Sequence, residues 1–177
     1  GPGISTEPET IQLLRELLPA LNCPMVIDAD GLNCLAQCEG LLSQLKAPAI
    51  LTPHPKEMSR LSGWEILDNR IEIASRFATK NSVGLVLKGA GSIMAFPDGS
   101  VYINPTGNPG MATGGSGDVL TGIIAGLLAQ GFDIKSATLA GTYVHGLTGD
   151  IYARENSETT LIAGDLLRTL PASLKRI

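Results

Sequence analysis

Apolar residues cluster in short runs along this chain, and each run is followed by a polar or proline-rich stop. PMVIDAD (24–30) reads as a buried strand that ends in acids, and PAILTPHP (48–55) as a second strand stopped by Pro53 and Pro55. VGLVLKG (83–89) reads as a third. Continuous apolar runs of this length, bounded by turn formers, are typical of strands buried on both faces. Between them the spacing turns helical: from Ile11 to Leu21, with Ser5 or Thr6 as the expected cap; in GLNCLAQ and LLSQLK; from Pro55 to Leu61; and from Ile66 to Lys80. SIMAFPDGSVYINP (92–105) carries Asp98-Gly99 between two strand-like runs, which predicts a hairpin. Three helices are expected at the end, in DVLTGIIAGLLAQ, IKSATLAGTYVHGLTGDIYA and TLIAGDLLRTLPASL.

Strand–helix alternation followed by helices predicts an α/β fold, with an open, mostly parallel sheet flanked by helices in three layers. The 177 residues fit one domain, and no repeat or low-complexity linker divides them. Hydrophobic residues make up 44% and charged residues 17%, which argues against disorder. The net charge of −4, with no Lys/Arg cluster, argues against a nucleic-acid partner. Three scattered cysteines and two histidines argue against a zinc site and fit a reducing, cytoplasmic setting. The longest apolar stretch, near 119–129, is too short for a membrane span.

The candidate chemistry lies in GNPGMATGGSGDVLTG, residues 107–122. A glycine-rich turn that opens a helix presents unpaired N–H groups to an anion, so Gly114, Gly115, Ser116 and Gly117 are expected to face a phosphate. Asp118 has two readings: an N-cap, or a general base beside that phosphate. The segment is neither a Walker A loop nor a GxGxxG turn. Lys88, at a strand end, reads on sequence chemistry alone as an ordinary solvated lysine. His54, between two prolines, reads from its setting as rigid loop packing, and His145, on an apolar helix face, as structural. Asp28 and Asp30 end a strand, where they would meet a metal-bound phosphate or cap the next helix; capping is the preferred expectation. Gly122 and Gly126 are expected to allow close helix packing.

NPTGNPGMATGGSGDVLTGIIAGLLAQG resembles the signature of the NAD(P)H-hydrate dehydratases, members of the ribokinase-like superfamily. GPGI (1–4), VIDADGLN (26–33), LTPHPKE (51–57), VLKGAGS (86–92) and YVHGLTGD (143–150) agree with it in order. The resemblance implies phosphorylation of the hydroxyl of NADHX or NADPHX by ADP or ATP, with Mg2+, followed by loss of phosphate to regenerate NAD(P)H. It implies Asp118 as base and substrate contact, and His54 and Gly3 at the hydrate site. It assigns Lys88, Gly89, Ala90, Gly91, Ser92 and Gly117 to the nucleotide. A kinase acting on a vitamin precursor or sugar, and an inactive nucleotide-binding fragment, are the alternatives. Three positions depart from the family pattern: Lys56 stands where PHPGE has glycine, Ser5 where a glycine closes GPGLG, and Ser116 where threonine is commoner. Family domains carry a segment before GPG that holds the first strands of the sheet. The expectation is therefore an N-terminally incomplete dehydratase domain over 1–177, in a homo-oligomer, with an epimerase domain as a possible fusion partner in the parent protein.

Overall fold

The three apolar runs form parallel strands, β1 (Met25–Ile27), β2 (Ala49–Leu51) and β3 (Gly84–Leu87), with Val26 opposite Ile50 and Leu51 opposite Leu85. The computed structural model describes residues 1–65 and 69–176. The expected hairpin follows, with β4 (Ile93–Ala95) antiparallel to β3 and to β5 (Val101–Ile103). Asp98 closes its turn by accepting the Ser100 amide at 2.9 Å, and Gly99 takes the left-handed backbone the turn needs (φ 81°). The strand order is β1-β2-β3-β4-β5, which makes a mixed sheet.

Side chains alternate across the strands, and this sorts the core into two layers. Ile27, Leu51, Leu85 and Leu87 pack with Leu18, Leu32, Met58 and Phe77 on one face. Ile50, Val86 and Met94 pack with Leu120, Ile124 and Ala137 on the other. The first face is covered by α1 (Pro8–Ala20), α2 (Asp30–Leu35), α3 (Pro55–Ser62) and α4 (Arg70–Asn81). The second is covered by α5 (Ser116–Ala129) and α6 (Ile134–Glu155), while α7 (Ala163–Leu174) closes a smaller cluster of Val119, Leu161 and Leu166. The three-layer α/β architecture is the expected one.

Local details differ from the sequence reading. Helix α1 starts at Pro8 after an N-terminal flanking Glu7, and Ser5 instead uses its hydroxyl to accept the Glu7 amide. LLSQLK holds only a 3-10 turn at Leu42–Gln44. The helix expected from Ile66 begins at Arg70, and residues 66–68 lie outside the described residues. Gly122 and Gly126 do not make a close helix crossing, because nothing stands within 4 Å of where a Cβ would be. Gly141 does: a Cβ there would lie 2.7 Å from Ile124 Cγ1, so this glycine lets α6 lie against α5. Among the described residues no helix is long and apolar enough to cross a membrane.

Candidate functional site

The carboxyl ends of the parallel strands deliver Asp28, Thr52–His54 and Lys88 to one side of the sheet, the side on which open α/β folds bind ligands. Lys88 is no ordinary surface lysine. Its Nζ donates to Asp28 Oδ1 at 2.9 Å and lies 3.9 Å from Glu57 Oε2. Asp28 is 1% exposed and also accepts the Thr121 hydroxyl at 3.0 Å. The capping expectation for Asp28 and Asp30 therefore fails. The residue before α2 is Ala29, which makes no side-chain cap, and Asp30 Oδ2 accepts the Ser5 amide.

His54 sits at the start of α3 in a reciprocal cap. Its Nδ1 accepts the Glu57 amide at 3.2 Å, and Glu57 Oε2 accepts the His54 amide at 2.8 Å. Lys56 falls at the second position of this helix and is exposed, so replacing the family's glycine leaves the backbone regular. Ser5 adopts φ 72°, a conformation that favours the glycine usual at its position.

Helix α5 opens after Gly115, whose φ of 86° turns the chain sharply into the helix. No backbone carbonyl among the described residues accepts from the amides of Gly117 or Asp118, which leaves two N–H groups at the positive end of the helix dipole. A Cβ at Gly117 would stand 3.2 Å from Lys88 Nζ, so a side chain there would crowd the lysine. His145 Nε2 donates to the Ser116 carbonyl at 2.9 Å and lies 3.3 Å from its hydroxyl. Burial pushes the His145 pKa down to about 4, with a smaller opposing effect from the bond to Ser116, so the ring is neutral at pH 7. Asp118 is exposed in the first turn and makes no hydrogen bond among the described residues, so it is not an N-cap.

These pieces surround a cavity of about 730 Å3, well inside the range of small-molecule sites. Lys88 to Ser92, Gly117, Ser116 and His54 all line it. Gly3, Gly114, Gly115 and Asp118 do not. Gly3 lies in the exposed N-terminal turn, Gly114 and Gly115 precede the helix start, and Asp118 faces solvent one residue beyond the lining. The sequence reading gave no site role to the wall formed within residues 104–112, although its candidate segment includes 107–112, nor to the lining residues Thr142, His145 and Gly146 of α6. It also missed Arg70. This guanidinium donates to the Ala90 carbonyl at 3.0 Å and approaches the Leu87 and Lys88 carbonyls at 3.4 Å. Gly89 runs at φ 146°, which disfavours a side chain, and a Cβ there would lie 2.8 Å from the end of the Arg70 guanidinium and push it aside. Among the described residues no group of three or more His, Cys, Asp or Glu stands together as a metal site.

Residues 1–172 match the family described as NAD(P)H-hydrate dehydratase, and the full chain is 51% identical to a bifunctional NAD(P)H-hydrate repair enzyme of Moorella thermoacetica. The chain belongs to the NAD(P)H-hydrate dehydratase family. It spans 34% of the M. thermoacetica relative, with 100% of this chain covered. An ADP-dependent (S)-NAD(P)H-hydrate dehydratase of Bacillus subtilis is 38% identical over 99% of this chain and 63% of its own length. A crystal structure of the ADP/ATP-dependent dehydratase of B. subtilis, co-crystallised with ATP/Mg2+ and soaked with CoA, superposes with a TM-score of 0.89 at 37% identity, covering 99% of this chain and 64% of that one. A ribokinase-like superfamily protein of Enterococcus faecalis superposes at 0.85 with 33% identity, covering 99% of this chain and 61% of that one, which places this dehydratase-family chain in the ribokinase-like fold.

Proposed function

We propose that this chain carries the nucleotide-dependent dehydration of NAD(P)H hydrate, NADHX or NADPHX. One observation carries the reading: in a dehydratase-family chain, the Lys88–Ser92 segment, the α5 start at Ser116–Gly117 and His54 converge on a single cavity. ADP or ATP lies there with its phosphates toward Lys88 and the free amides of α5. ADP is the donor we favour, since one B. subtilis relative is named an ADP-dependent dehydratase.

Asp118 is the base. Its carboxylate is exposed, is not spent on a cap, and follows the lining residue Gly117 directly. It takes the proton of the hydrate's hydroxyl as that oxygen attacks the terminal phosphorus. The bond from phosphorus to the bridging oxygen breaks and AMP leaves when ADP is the donor. The hydroxyl oxygen departs with the phosphoryl group as phosphate, a far better leaving group than hydroxide. A proton lost from the neighbouring carbon restores the ring double bond. Amides aimed at the charge on the transferring phosphoryl each contribute about 10²–10³ in rate. His54 and Gly3 serve the hydrate side.

A nucleotide-borne Mg2+ needs only one or two protein carboxylates, the rest of its shell being water and phosphate. Among the described residues the cavity lining contains no Asp or Glu, and Asp28 and Glu57, outside the lining, have their oxygens engaged by Lys88, Thr121 and the His54 amide, so the lining offers such an ion no free carboxylate. An ion carried in on the nucleotide would neutralise charge on the transferring phosphoryl group. The three free cysteines and the lack of a membrane-spanning helix among the described residues support a cytoplasmic protein, and exposed Tyr102 and Ile103 on the outer strand β5 support a homo-oligomer.

The test is growth of the reduced-nicotinamide absorbance when the purified chain, and a chain extended upstream, meet hydrated NADH with Mg2+ and ADP or ATP. Signal that depends on nucleotide and is accompanied by orthophosphate supports dehydration. A stable phosphorylated product from either chain overturns it in favour of a kinase.

A further inference from the structure

The wall of the cavity formed by residues 104–112 has little backbone structure of its own. Its internal backbone–backbone bonds are two turns, Met111 N–H to the Asn108 carbonyl and Ala112 N–H to the Pro109 carbonyl. Side chains add short-range bonds from the Gly110 amide to Asn108 Oδ1 and from Asn104 Nδ2 to the Thr106 carbonyl, with Thr106 Oγ1 beside Asn104 Oδ1. It keeps its shape by lying on α6. Asn104 Nδ2 donates to the Thr142 carbonyl and Thr106 Oγ1 to the Tyr143 carbonyl. Besides the Asn104 amide on the Ser92 carbonyl, a side chain of α6 holds it: Asp150 Oδ2 accepts the Gly107 amide at 2.9 Å, and its Oδ1 accepts Asn108 Nδ2 at 3.1 Å.

We propose that Asp150 is a positioning residue for the nucleotide cavity, fixing Gly107 and Asn108 so that the 104–112 wall holds the shape that receives ADP or ATP. The inference rests on the cavity's being the nucleotide site. A carboxylate suits the task because it only accepts, and its two oxygens meet two donors that diverge from neighbouring residues. Glycines make the approach possible. A Cβ on Gly146 would lie 2.7 Å from the Thr106 backbone, one on Gly149 would lie 2.7 Å from Met111 Cγ, and Gly107 itself runs at φ 105°. Gly107, Asn108, Thr106 and Met111 all face the cavity, so a shift of this wall changes what the nucleotide meets.

Asp150→Ala and Asp150→Asn are compared with wild type by calorimetric ADP binding, by hydrogen exchange across 104–112, and by thermal melting. Loss of one charged pair of bonds is expected to weaken ADP binding about tenfold in the alanine variant, with faster exchange at Gly107. Asparagine can still accept from Gly107 but not from Asn108, so it falls between. A lowered melting temperature with wild-type ADP affinity and wild-type exchange in the folded protein marks a merely structural role and overturns the proposal. If the alanine variant does not fold, the asparagine variant decides on the same two readouts. A wild-type chain that binds no ADP removes the nucleotide reading of the cavity, and the exchange comparison alone then upholds or overturns Asp150 as the anchor of the wall.

Discussion

Lys88 Nζ lies 2.9 Å from Asp28 Oδ1, an ion pair that joins the carboxyl ends of β3 and β1 across the intervening strand β2. The two partners are unequal. Asp28 is 1% exposed, while the Lys88 side chain keeps 21% exposure on the cavity side. The aspartate is thus the buried support, and the lysine is the charge presented to a ligand.

The Lys88–Asp28 arrangement separates stability from binding. Lys88→Met leaves a buried, uncompensated carboxylate and is expected to destabilise the fold by about 3–5 kcal/mol, read by urea unfolding. Adding Asp28→Asn removes that charge and recovers most of the loss, while Thr121 keeps an oxygen to donate to. ADP affinity stays low in both variants, because the second substitution restores the fold and not the lysine charge beside the phosphates. Recovery of affinity together with stability would show that Lys88 acts on the fold alone.

Asp118 gives the opposite pattern. Its carboxylate is exposed and unbonded, so Asp118→Asn is expected to change stability by no more than about 0.5 kcal/mol. General-base catalysis contributes about 10²–10⁴ in rate, and kcat is expected to fall by that order while the ADP dissociation constant holds. A near wild-type kcat in this variant removes Asp118 from the base role.

What the sequence made legible is the part that depends on near neighbours. Apolar runs located β1, β2 and β3, Asp98-Gly99 located the hairpin, and the glycines before Asp118 located the helix start. The site's supporting contacts were not legible, since they join residues far apart in the chain. Asp28 reads as a helix cap until the fold brings up Lys88, 60 residues on. Arg70 reads as one more charge in an amphipathic helix until its guanidinium is seen on the carbonyls around Gly89. Gly122 and Gly126 have the spacing of a packing face, yet the residue that meets α5 closely is Gly141, because the sequence does not say which face of a helix its neighbour crosses.

His145 sets a pH dependence on stability. Its pKa falls from 6.5 to about 4 on folding, chiefly through burial, so the unfolded chain binds the proton more tightly. The stabilisation is complete above pH 6.5 and is lost as pH falls toward 4, a loss of up to about 3 kcal/mol at the low end. His145→Gln keeps an N–H for the Ser116 carbonyl but does not titrate. The fall in melting temperature between pH 7 and pH 5 is therefore expected to shrink in this variant, and an unchanged fall would place the titration elsewhere.

Gly146→Ala tests the same helix from its packing side. Gly146 lies against Thr106 so closely that a methyl group would meet the Thr106 hydroxyl and stand 2.7 Å from its backbone carbonyl carbon and oxygen. Rotating the threonine side chain relieves only the first contact; the second requires the 104–112 wall to lift from α6. Overpacking of this kind costs about 1–3 kcal/mol, and lifting the wall also strains the bond from Thr106 to the Tyr143 carbonyl. The variant is expected to melt lower and to bind ADP more weakly, with faster exchange at Gly107. Gly122→Ala is the control on the neighbouring helix. It adds the same methyl group where nothing stands within 4 Å, and it is expected to leave ADP affinity unchanged and stability equal or slightly raised, because alanine favours a helix over glycine by about 1 kcal/mol. Equal effects from the two substitutions would mean that the close contact with Thr106 does not hold the wall.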